Sequence, residues 1–306
     1  MKLLITGGTG FIGKTLCEHL LNRGHHLTLL TRNPEKIAAR YKDRNVEVTR
    51  SIETLAADKG IDAIINLAGE GIADQRWSEQ RKRTLIASRE KTTQSLVEYI
   101  KRAHKVSPHK PSVLISGSAV GYYGDQGDVE VDETCACKDD FAHQICDIWE
   151  GAACQAKELG VRVCIVRLGL VVGADGGFLQ RMLLPFRLRL GSSLGSGKQW
   201  MSWVHIADVV NAIDFLLHKK DAEGAYNVTA PHPVSNQTFT QEFARSLNRP
   251  AVFTTPAFVL KLALGEMSEL LLGGQKVLPS RLQASGYKFK YTKLKDALES
   301  VVNTNA

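Results

Sequence analysis

Residues 6–13 read TGGTGFIG and follow the short apolar run LLIT at residues 3–6. The next stretch, FIGKTLCEHLLNRG, has apolar residues at helical spacing and ends at Gly24. HLTLLTR at residues 26–32 then predicts a second strand. A glycine-rich turn that leaves a strand and opens a helix, with a second strand soon after, is the context of a dinucleotide-binding loop.

The glycines of this loop are spaced as G-x-x-G-x-x-G. Gly7 permits a tight turn, Gly10 lets the backbone approach a pyrophosphate, and Gly13 lets the helix pack closely on the sheet. A purely structural glycine turn is the alternative, and the strand and helix around the loop count against it. We therefore expect these residues to contact a dinucleotide: Gly7, Thr9, Gly10, Phe11, Ile12 and Gly13.

The end of the second strand indicates which dinucleotide is bound. NAD binding calls for an Asp or Glu there, which accepts hydrogen bonds from the ribose hydroxyls. This chain has Thr31 and Arg32 instead. A guanidinium cannot accept a hydrogen bond, but it matches a 2′-phosphate. We predict that NADP is the cofactor and that Thr31 and Arg32 contact it.

Strand and helix patterns alternate over the first two-thirds of the chain. Further apolar runs that predict strands are AIINLAG (63–69), SVLISGSA (112–119), VCIVRLGLVV (163–172) and AYNVT (225–229). Such alternation implies parallel pairing and an α/β fold with a Rossmann-type, doubly wound parallel sheet. We predict a nucleotide-binding domain over residues 1–230, with residues 174–200 contributing to a substrate cleft, and a small mixed C-terminal domain over residues 231–306.

Composition narrows the class of protein. The 306 residues are 43 % hydrophobic, which is enough for a large core. The net charge of +7 suits nucleic acid or a small anion, but the cations are scattered and lack interleaved aromatics, so we expect no nucleic-acid partner. The absence of a long apolar run and of a signal-peptide pattern predicts a cytoplasmic protein without a membrane partner. The six cysteines are expected to be reduced.

Arg89 stands out because it lies on the inward line of its helix, at i+4 from Leu85. A charge that faces a core is costly unless it is paired. One interpretation is a buried salt bridge or a side chain that reaches outward to water. The other is that Arg89 reaches cofactor phosphates or a substrate anion over the strand ends.

The motifs together resemble a known family. TGGTGFIG, NLAG (66–69), SGSAVGYYG (116–124) and RLGLVVG (167–173) look like the extended short-chain dehydrogenase/reductases of the sugar-nucleotide epimerase group. WSEQRKRTLIASREKT, DIWEGAA, LLPFRLRLG, GSGKQWMSWVHIADV and GGQKVLPSRLQASGYKF resemble more narrowly the YfcH-type epimerase family, and the likeness covers the whole chain.

The resemblance implies an NADP-binding Rossmann domain below a small C-terminal domain, acting on a small-molecule substrate. It implies that Leu67 and Ala68 touch the cofactor, and we place with them Gly69, Glu70, Thr84, Arg89 and Ser116. Glu70 has a second interpretation, in which it caps the segment that follows. A homodimer is compatible with the resemblance, and the substrate, a carbonyl or sugar-like compound, is not indicated by the sequence.

The catalytic pattern of the broad family is incomplete in this chain. Active members are expected to carry a Ser, a later Tyr as acid/base, and a Lys four residues on that lowers the Tyr pKa. Ser118 matches the serine. On the helix DDFAHQICDIWEGAA, one register places Ala142 and Cys146 at the Tyr and Lys positions, and the other places His143 and Asp147 there. Neither register supplies the usual pair.

Several residues are candidates to replace the missing Tyr and Lys. His143 could act as an acid/base oriented by Asp147 at i+4, or the two could form an ordinary surface contact. Tyr123 could be catalytic or only a wall of the site. We therefore assign Ser118, Tyr123 and His143 as catalytic candidates in an oxidoreductase or epimerase, with a non-catalytic NADP(H) sensor as the alternative.

A zinc site is a competing interpretation of the same region. Cys135, Cys137, His143 and Cys146 supply ligand types that zinc accepts. The C-x-C spacing is unusual and no second knuckle follows, so we predict no metal ion.

Overall fold

The protein is described by a computed structural model that covers residues 1–106, 108 and 110–304. At its centre lies a seven-stranded sheet in which all neighbouring strands run parallel. Its strands, numbered in chain order, are β1 (Lys2–Thr6), β2 (His26–Leu30), β3 (Val46–Thr49), β4 (Ala63–Asn66), β5 (Val113–Ala119), β6 (Arg162–Leu168) and β7 (Gly224–Val228).

Helices cover both faces of this sheet and form much of the C-terminal region. They are α1 (Phe11–Asn22), α2 (Pro34–Arg40), α3 (Glu79–Val106), α4 (Phe141–Cys154), α5 (Gly177–Arg187), α6 (Ile206–His218), α7 (Asn236–Ser246), α8 (Ala257–Leu264), α9 (Glu269–Leu272), α10 (Ser280–Ala284) and α11 (Leu294–Thr304). Short 3₁₀ helices lie at Val120–Tyr123, Gln155–Leu159 and Gly265–Ser268.

The strand order across the sheet is β3-β2-β1-β4-β5-β6-β7. The chain first builds outward from β1 to β3 and then returns to build from β4 to β7 on the other side. The order therefore reverses between β1 and β4. In open α/β sheets, ligands bind at such a reversal, outside the carboxyl ends of the strands. The predicted fold class, an α/β doubly wound parallel sheet, is confirmed.

Alternate residues of β1 enter different cores. Leu3 and Ile5 lie in a large apolar cluster with α1 and α6, whereas Leu4 lies in a second cluster with α3. All three are fully buried. This two-residue alternation is what a strand with helices on both faces requires, and it fixes the position of the loop that follows Thr6.

The predicted strand over residues 163–172 is in fact two strands. β6 ends at Leu168, and the chain then leaves the main sheet so that Leu170–Val172 pairs in parallel with Trp203–His205. Gly169 marks the break, because a Cβ atom there would lie 2.2 Å from the carbonyl oxygen of Ser202. The apolar pattern runs through the break since both pieces are buried, so periodicity could not reveal it.

The C-terminal region shares an apolar core with the chain that follows β6. Phe239 and Phe243 of α7 and Leu298 of α11 lie in one cluster with Val172, Leu179 and Trp203. Several two-residue or three-residue strand pairs attach this region to the rest: Trp200–Met201 with Val234–Ser235, Phe253–Thr255 with Ser192–Leu194, and Lys276–Val277 with Glu130–Val131. The division at residue 230 stays a prediction. Among the described residues, no helix combines the length and apolar character that crossing a bilayer demands.

Candidate functional site

The glycine loop between β1 and α1 is built for close backbone contact. Gly7 has a φ of 71°, and a Cβ there would lie 2.5 Å from the carbonyl oxygen of Leu67. At Gly13 a Cβ would lie 2.1 Å from the carbonyl oxygen of Gly7. Side chains are therefore excluded at both positions, and the loop lies directly against the chain that leaves β4.

The start of α1 presents unpaired backbone N–H groups. Its N-cap residue is Gly10, no side chain caps it, and the first turn has no acidic residue. An uncapped helix N-terminus at the carboxyl edge of a parallel sheet can bind phosphate oxygens through these N–H groups and the helix dipole. The donor set and the glycine cradle fit the pyrophosphate of a dinucleotide, which is the group predicted from the sequence.

A buried polar cluster supports the loop from below. Asn66 at the end of β4 accepts a hydrogen bond from the Thr6 hydroxyl at 2.6 Å and donates to the Thr93 hydroxyl at 2.9 Å. The Asn66 amide also lies 3.4 Å from the Ser116 hydroxyl. The Thr6 hydroxyl accepts from the Ala68 amide at 3.3 Å. These contacts hold the ends of β1, β4 and β5 together. Ser116 is fully buried and acts there as support.

Phe11 joins the glycine loop to the start of α5. A Cβ atom at Gly173, Gly176 or Gly177 would lie only 2.7 to 2.9 Å from the nearest atom of the Phe11 ring. The glycines between residues 173 and 177 therefore let the start of α5 pack on the first residue of α1. Thr9 and Gly10 are exposed, and Ile12 is half-buried.

Arg32 lies in a small charge cluster at the end of β2. Its side chain is 92 % exposed, and its Nη1 atom lies 3.5 Å from Oε1 of Glu70. The other oxygen of Glu70 lies 3.6 Å from Nη1 of Arg81, whose side chain is nearly buried and whose Nε has no hydrogen-bond partner among the described residues. Thr31 beside Arg32 is buried and accepts from the Asn33 amide through its hydroxyl. Arg32 is free to turn toward a ligand, and Arg81, which the sequence did not single out, adds a second cation.

Arg89 lies between the chain leaving β4 and helix α4. Its guanidinium donates to the carbonyl oxygens of Leu85 and Glu70, both at 2.9 Å, and packs 5.2 Å from the ring of Trp149. Gly69 makes room for it, because a Cβ there would lie 2.9 Å from the Arg89 Cζ. Burial lowers the pKa of Arg89.

Within the described residues Arg89 has no carboxylate partner within 4 Å, so the salt-bridge interpretation is wrong. Only two of its five N–H groups are used by the carbonyls. The interpretation as an anion ligand stays a prediction. Thr84, one turn earlier on α3, is half-buried and donates to the Gln80 carbonyl.

Ser118 is almost fully buried, and its hydroxyl donates to Oε1 of Glu150 at 2.6 Å. The same carboxylate receives two hydrogen bonds from Arg167, Nε to Oε1 at 2.9 Å and Nη2 to Oε2 at 2.8 Å. Burial opposes the charge of Arg167, but the hydrogen bonds and the charge of Glu150 raise its pKa above the ordinary value. Ser118 is thus part of a closed ionic network between β5, α4 and β6.

Tyr123 belongs to the same network. Its phenol is fully buried, accepts from Nη1 of Arg167 at 2.9 Å and donates to Oδ1 of Asn227 at 2.7 Å. Burial raises its pKa to about 12. Asn227 in turn donates to the Leu278 carbonyl, which ties the network to the C-terminal region. A phenol with both hydrogen-bonding positions occupied and no water contact is placed to support the fold.

His143 is half-buried in the first turn of α4, next to the 3₁₀ helix that follows β5. Its Nδ1 lies 2.6 Å from the carbonyl oxygen of Tyr122, and the two rings pack edge to face. Since a carbonyl only accepts, Nδ1 carries a proton in this contact. Nε2 has no hydrogen-bond partner in the described part of the chain. Asp147 is exposed and does not pair with His143 within 4 Å, so its predicted orienting role is wrong.

The cysteines proposed for zinc do not gather around His143. Cys135 lies by Asp132, Cys137 is exposed, and the Cys146 thiol lies 3.7 Å from the Ala119 carbonyl. Burial raises the pKa of Cys146 to about 11, so it is a protonated thiol. The six cysteines form no disulfide with one another.

The described residues contain a different group of potential metal ligands, His25, Asp214 and His218. Oδ2 of Asp214 already lies 2.9 Å from Nε2 of His19 and 3.2 Å from Nη1 of Arg23. His218 directs Nδ1 to the Asp214 carbonyl at 2.9 Å. These contacts join the end of α1 to α6. Because the carboxylate is already neutralised by Arg23, we assign the group a structural role.

Comparison with known proteins agrees with this geometry. Residues 3–229 match the model of the NAD dependent epimerase/dehydratase family, and residues 255–301 match a domain of unknown function, DUF1731. An epimerase family protein of Staphylococcus aureus (strain MRSA252) is 40 % identical over 305 residues, which are 99 % of each chain. A chloroplastic homologue of epimerase family protein SDR39U1 from Arabidopsis thaliana is 37 % identical over 99 % of this chain and 87 % of the relative.

Two solved structures are informative. Human epimerase family protein SDR39U1 (isoform 2), crystallised with NADPH, is 34 % identical, covers 99 % of both chains and superposes with a TM-score of 0.86. UDP-glucuronic acid 4-epimerase from Bacillus cereus, with UDP-glucuronic acid and NAD, shares the fold at a TM-score of 0.78 with 19 % identity and full coverage of both chains. The resemblance predicted from the sequence is confirmed: the chain belongs to the NAD dependent epimerase/dehydratase family.

Proposed function

We propose that the protein binds NADP(H) and acts as an oxidoreductase or epimerase on a small carbonyl or sugar-like compound. The observation that carries the proposal is the uncapped start of α1 behind Gly7 and Gly13, with Arg32 and not a carboxylate at the end of β2. The human relative that was crystallised with NADPH supports the choice of cofactor.

The chain's own residues would hold the cofactor in a defined way. The N–H groups of α1 and the loop would bind the pyrophosphate, Arg32 would bind the 2′-phosphate, and Leu67 and Ala68 would line the dinucleotide. Arg81 is a second cation beside Glu70 and would add to the 2′-phosphate site. The bound cofactor supplies or accepts a hydride.

His143 is our candidate for the proton-transfer group. Its neutral tautomer is set by the Tyr122 carbonyl, so Nε2 can take a proton from a substrate hydroxyl in the oxidative direction or, once protonated, return it to the carbonyl oxygen. Ser118 and Tyr123 donate to Glu150 and Asn227. Their role in the proposal is to position the end of β5, which precedes the segment that orients His143.

A second candidate function rests on the buried network. The Ser118 hydroxyl and the Tyr123 phenol are both engaged in protein hydrogen bonds, and this supports a protein in which they transfer no proton. An NADP(H)-binding protein without turnover, whose cofactor state controls a partner, is compatible with that arrangement.

The test is a fluorescence titration of NADPH and NADH into the purified protein. We expect NADPH to bind about ten- to a hundredfold more tightly, since a charge-assisted contact to phosphate contributes about 1.5–3 kcal/mol. Arg32→Ala should reduce that preference, with Arg81 as the remaining cation, and leave NADH binding unchanged. The control Arg40→Ala, which changes an exposed arginine on α2, should keep the full preference. Equal dissociation constants in the unmodified protein would refute the choice of cofactor.

Turnover separates the two candidate functions. The protein loaded with NADPH is mixed with a panel of carbonyl compounds and nucleotide sugars, and the nicotinamide absorbance and the sugar products are followed. A change with any compound supports the enzyme. Tight NADPH binding with no change over the panel favours the sensor.

A further inference from the structure

Two neighbouring segments expose an unusual number of large apolar side chains. The segments are residues 184–190, at the end of α5, and residues 249–262, which include α8. Eight apolar residues in these segments are exposed to solvent, with these exposed fractions: Leu184 66 %, Leu188 61 %, Leu190 59 %, Val252 77 %, Phe253 52 %, Phe258 71 %, Val259 39 % and Leu262 80 %. We call these residues the apolar patch.

The two segments lie side by side. Residues Phe253–Thr255 pair in parallel with Ser192–Leu194, directly after the first segment. Nε of Arg249 donates to the Arg187 carbonyl at 3.3 Å. The apolar side chains therefore belong to one region of the surface. A concentration of exposed apolar groups of this kind marks an interaction site in a folded protein.

The charges in the two segments have one sign. Residues 184–190 read LPFRLRL and residues 249–262 read RPAVFTTPAFVLKL, so four cations and no carboxylate occur among them. Arg187, Arg189, Arg249 and Lys261 are all exposed, and within the described residues none of them has an ion-pair partner within 4 Å. The surface that covers the patch must supply both apolar area and negative charge.

A second copy of the chain does not meet that requirement. In a two-fold dimer each patch faces the same patch of its partner, so the four cations would be brought against four identical cations. Like charges that are desolvated together oppose association. The outer surface of an anionic phospholipid bilayer does meet it, because acyl chains accept the protruding Phe and Leu side chains and the headgroups pair with Arg and Lys.

We propose that the apolar patch docks the protein on an anionic membrane surface. The side chains that enter the lipid are led by Val252, Phe258 and Leu262, which are the most exposed. The proposal departs from the expectation that the chain has no membrane partner. That expectation was drawn from the lack of a long apolar run, and peripheral binding needs no spanning helix. Nη2 of Arg76 donates to the Leu262 carbonyl, which places the patch beside the segment between β4 and α3.

The experiment is flotation of the full chain with two kinds of vesicle, pure phosphatidylcholine and phosphatidylcholine mixed with phosphatidylglycerol. We expect at least about tenfold stronger binding to the anionic vesicles, declining as salt is raised. Phe258→Ser with Leu262→Ser, and separately Arg187→Glu with Lys261→Glu, should each weaken that binding at least about tenfold.

Matched controls change the same chemistry elsewhere. Val106→Ser replaces an exposed apolar residue at the end of α3, and Lys36→Glu reverses an exposed charge on α2. Both should bind like the unmodified protein, Lys36→Glu within the small effect of its net charge. Because every substituted residue is exposed, circular dichroism should show an unchanged fold for all variants.

Three results would overturn the proposal. One is no binding to anionic vesicles, and another is binding that survives both patch variants. The third comes from sedimentation velocity: if the unmodified protein is a dimer that Phe258→Ser with Leu262→Ser dissociates, the patch is an interface between copies of the chain.

Discussion

Arg167 and Glu150 form a buried, bidentate ion pair, with hydrogen bonds of 2.9 Å and 2.8 Å. Removing one partner leaves a buried charge without compensation, so we expect Arg167→Met to lower the free energy of unfolding by about 3–5 kcal/mol. Urea denaturation followed by circular dichroism measures this loss. Because the two side chains bind each other, the loss of free energy of unfolding in Arg167→Met should depend on whether Glu150 is present.

The matched control for this pair is the double variant Glu150→Met with Arg167→Met. An apolar pair leaves no unpaired charge, so we expect the double variant to lose less than the sum of the two single variants by more than about 1 kcal/mol. Additive losses would show that the two side chains contribute independently.

Gly13 is predicted to be intolerant of any side chain. A Cβ at this position would lie 2.1 Å from the Gly7 carbonyl oxygen and 2.7 Å from the Gly8 Cα, so Gly13→Ala must move the loop away from α1. We expect a loss of about 1–3 kcal/mol in the free energy of unfolding together with weaker NADPH binding.

Gly151 provides the comparison, because it lies inside α4 and a Cβ there meets nothing within 4 Å. Gly151→Ala should stabilise the protein by about 0.5–1 kcal/mol, through helix propensity, and leave NADPH binding unchanged. Normal NADPH affinity in Gly13→Ala would contradict a close approach of the loop to the cofactor.

Arg89 is expected to bind an anion of the cofactor with the N–H groups that its two carbonyl partners leave free. Arg89→Met keeps the apolar stem beside Gly69 and Trp149 but removes the charge. We predict a ten- to hundredfold weaker NADPH affinity, from about 1.5–3 kcal/mol, measured by titration.

Arg83 is the matched control on the same helix, because it is exposed. Arg83→Met should bind NADPH normally. If Arg89→Met unfolds more readily but binds NADPH as the unmodified protein does, Arg89 serves only to tie α3 to the chain after β4.

His205 should make stability depend on pH. Its Nδ1 accepts from the Ala207 amide at 3.1 Å at the start of α6, which requires a neutral ring, and burial lowers its pKa from 6.5 to about 4. Between those pH values the unfolded chain binds a proton that the folded chain does not. The free energy of unfolding therefore falls as the pH drops through this window, by up to about 1.4 kcal/mol per pH unit.

His205→Asn tests this assignment, because Asn can still cap the helix but does not titrate. We expect denaturation curves at several pH values to show a shallower decline for the variant below pH 6.5. His26→Asn replaces an exposed histidine and should retain the slope of the unmodified protein. Equal slopes in all three proteins would exclude His205 as the source.

The glycine loop and the strands around it were predictable because their signals are local. Gly7, Gly10 and Gly13 lie within seven residues of one another, and the apolar runs beside them are short and buried. The parallel, doubly wound character of the sheet followed from the alternation of strands and helices, which leaves few topologies.

The buried network was not predictable in the same way. Glu150 and Arg167 are on different elements, and neither lies in a local pattern that indicates an ion pair. Ser118 was correctly placed at the end of β5, but its hydroxyl direction depends on where α4 packs. That position is decided by Gly117, at which a Cβ would lie 2.9 Å from the ring of Trp149. Contacts between distant elements of this kind leave no periodicity in a single sequence.

The last prediction concerns the proton-transfer group. Once a substrate is known, His143→Gln should lower kcat by about a hundredfold or more, because general acid–base groups contribute about that much. It should leave NADPH affinity nearly unchanged, and the pH profile of kcat/KM should lose the limb that belongs to a neutral imidazole.

Tyr123→Phe should instead lower the free energy of unfolding by about 1–3 kcal/mol, since Asn227 and Arg167 lose a buried partner, and should keep the pH profile. Ser118→Ala should behave like Tyr123→Phe, with a lower free energy of unfolding and an unchanged pH profile. If Tyr123→Phe abolishes turnover in a folded protein while His143→Gln does not, the phenol and not the imidazole transfers the proton.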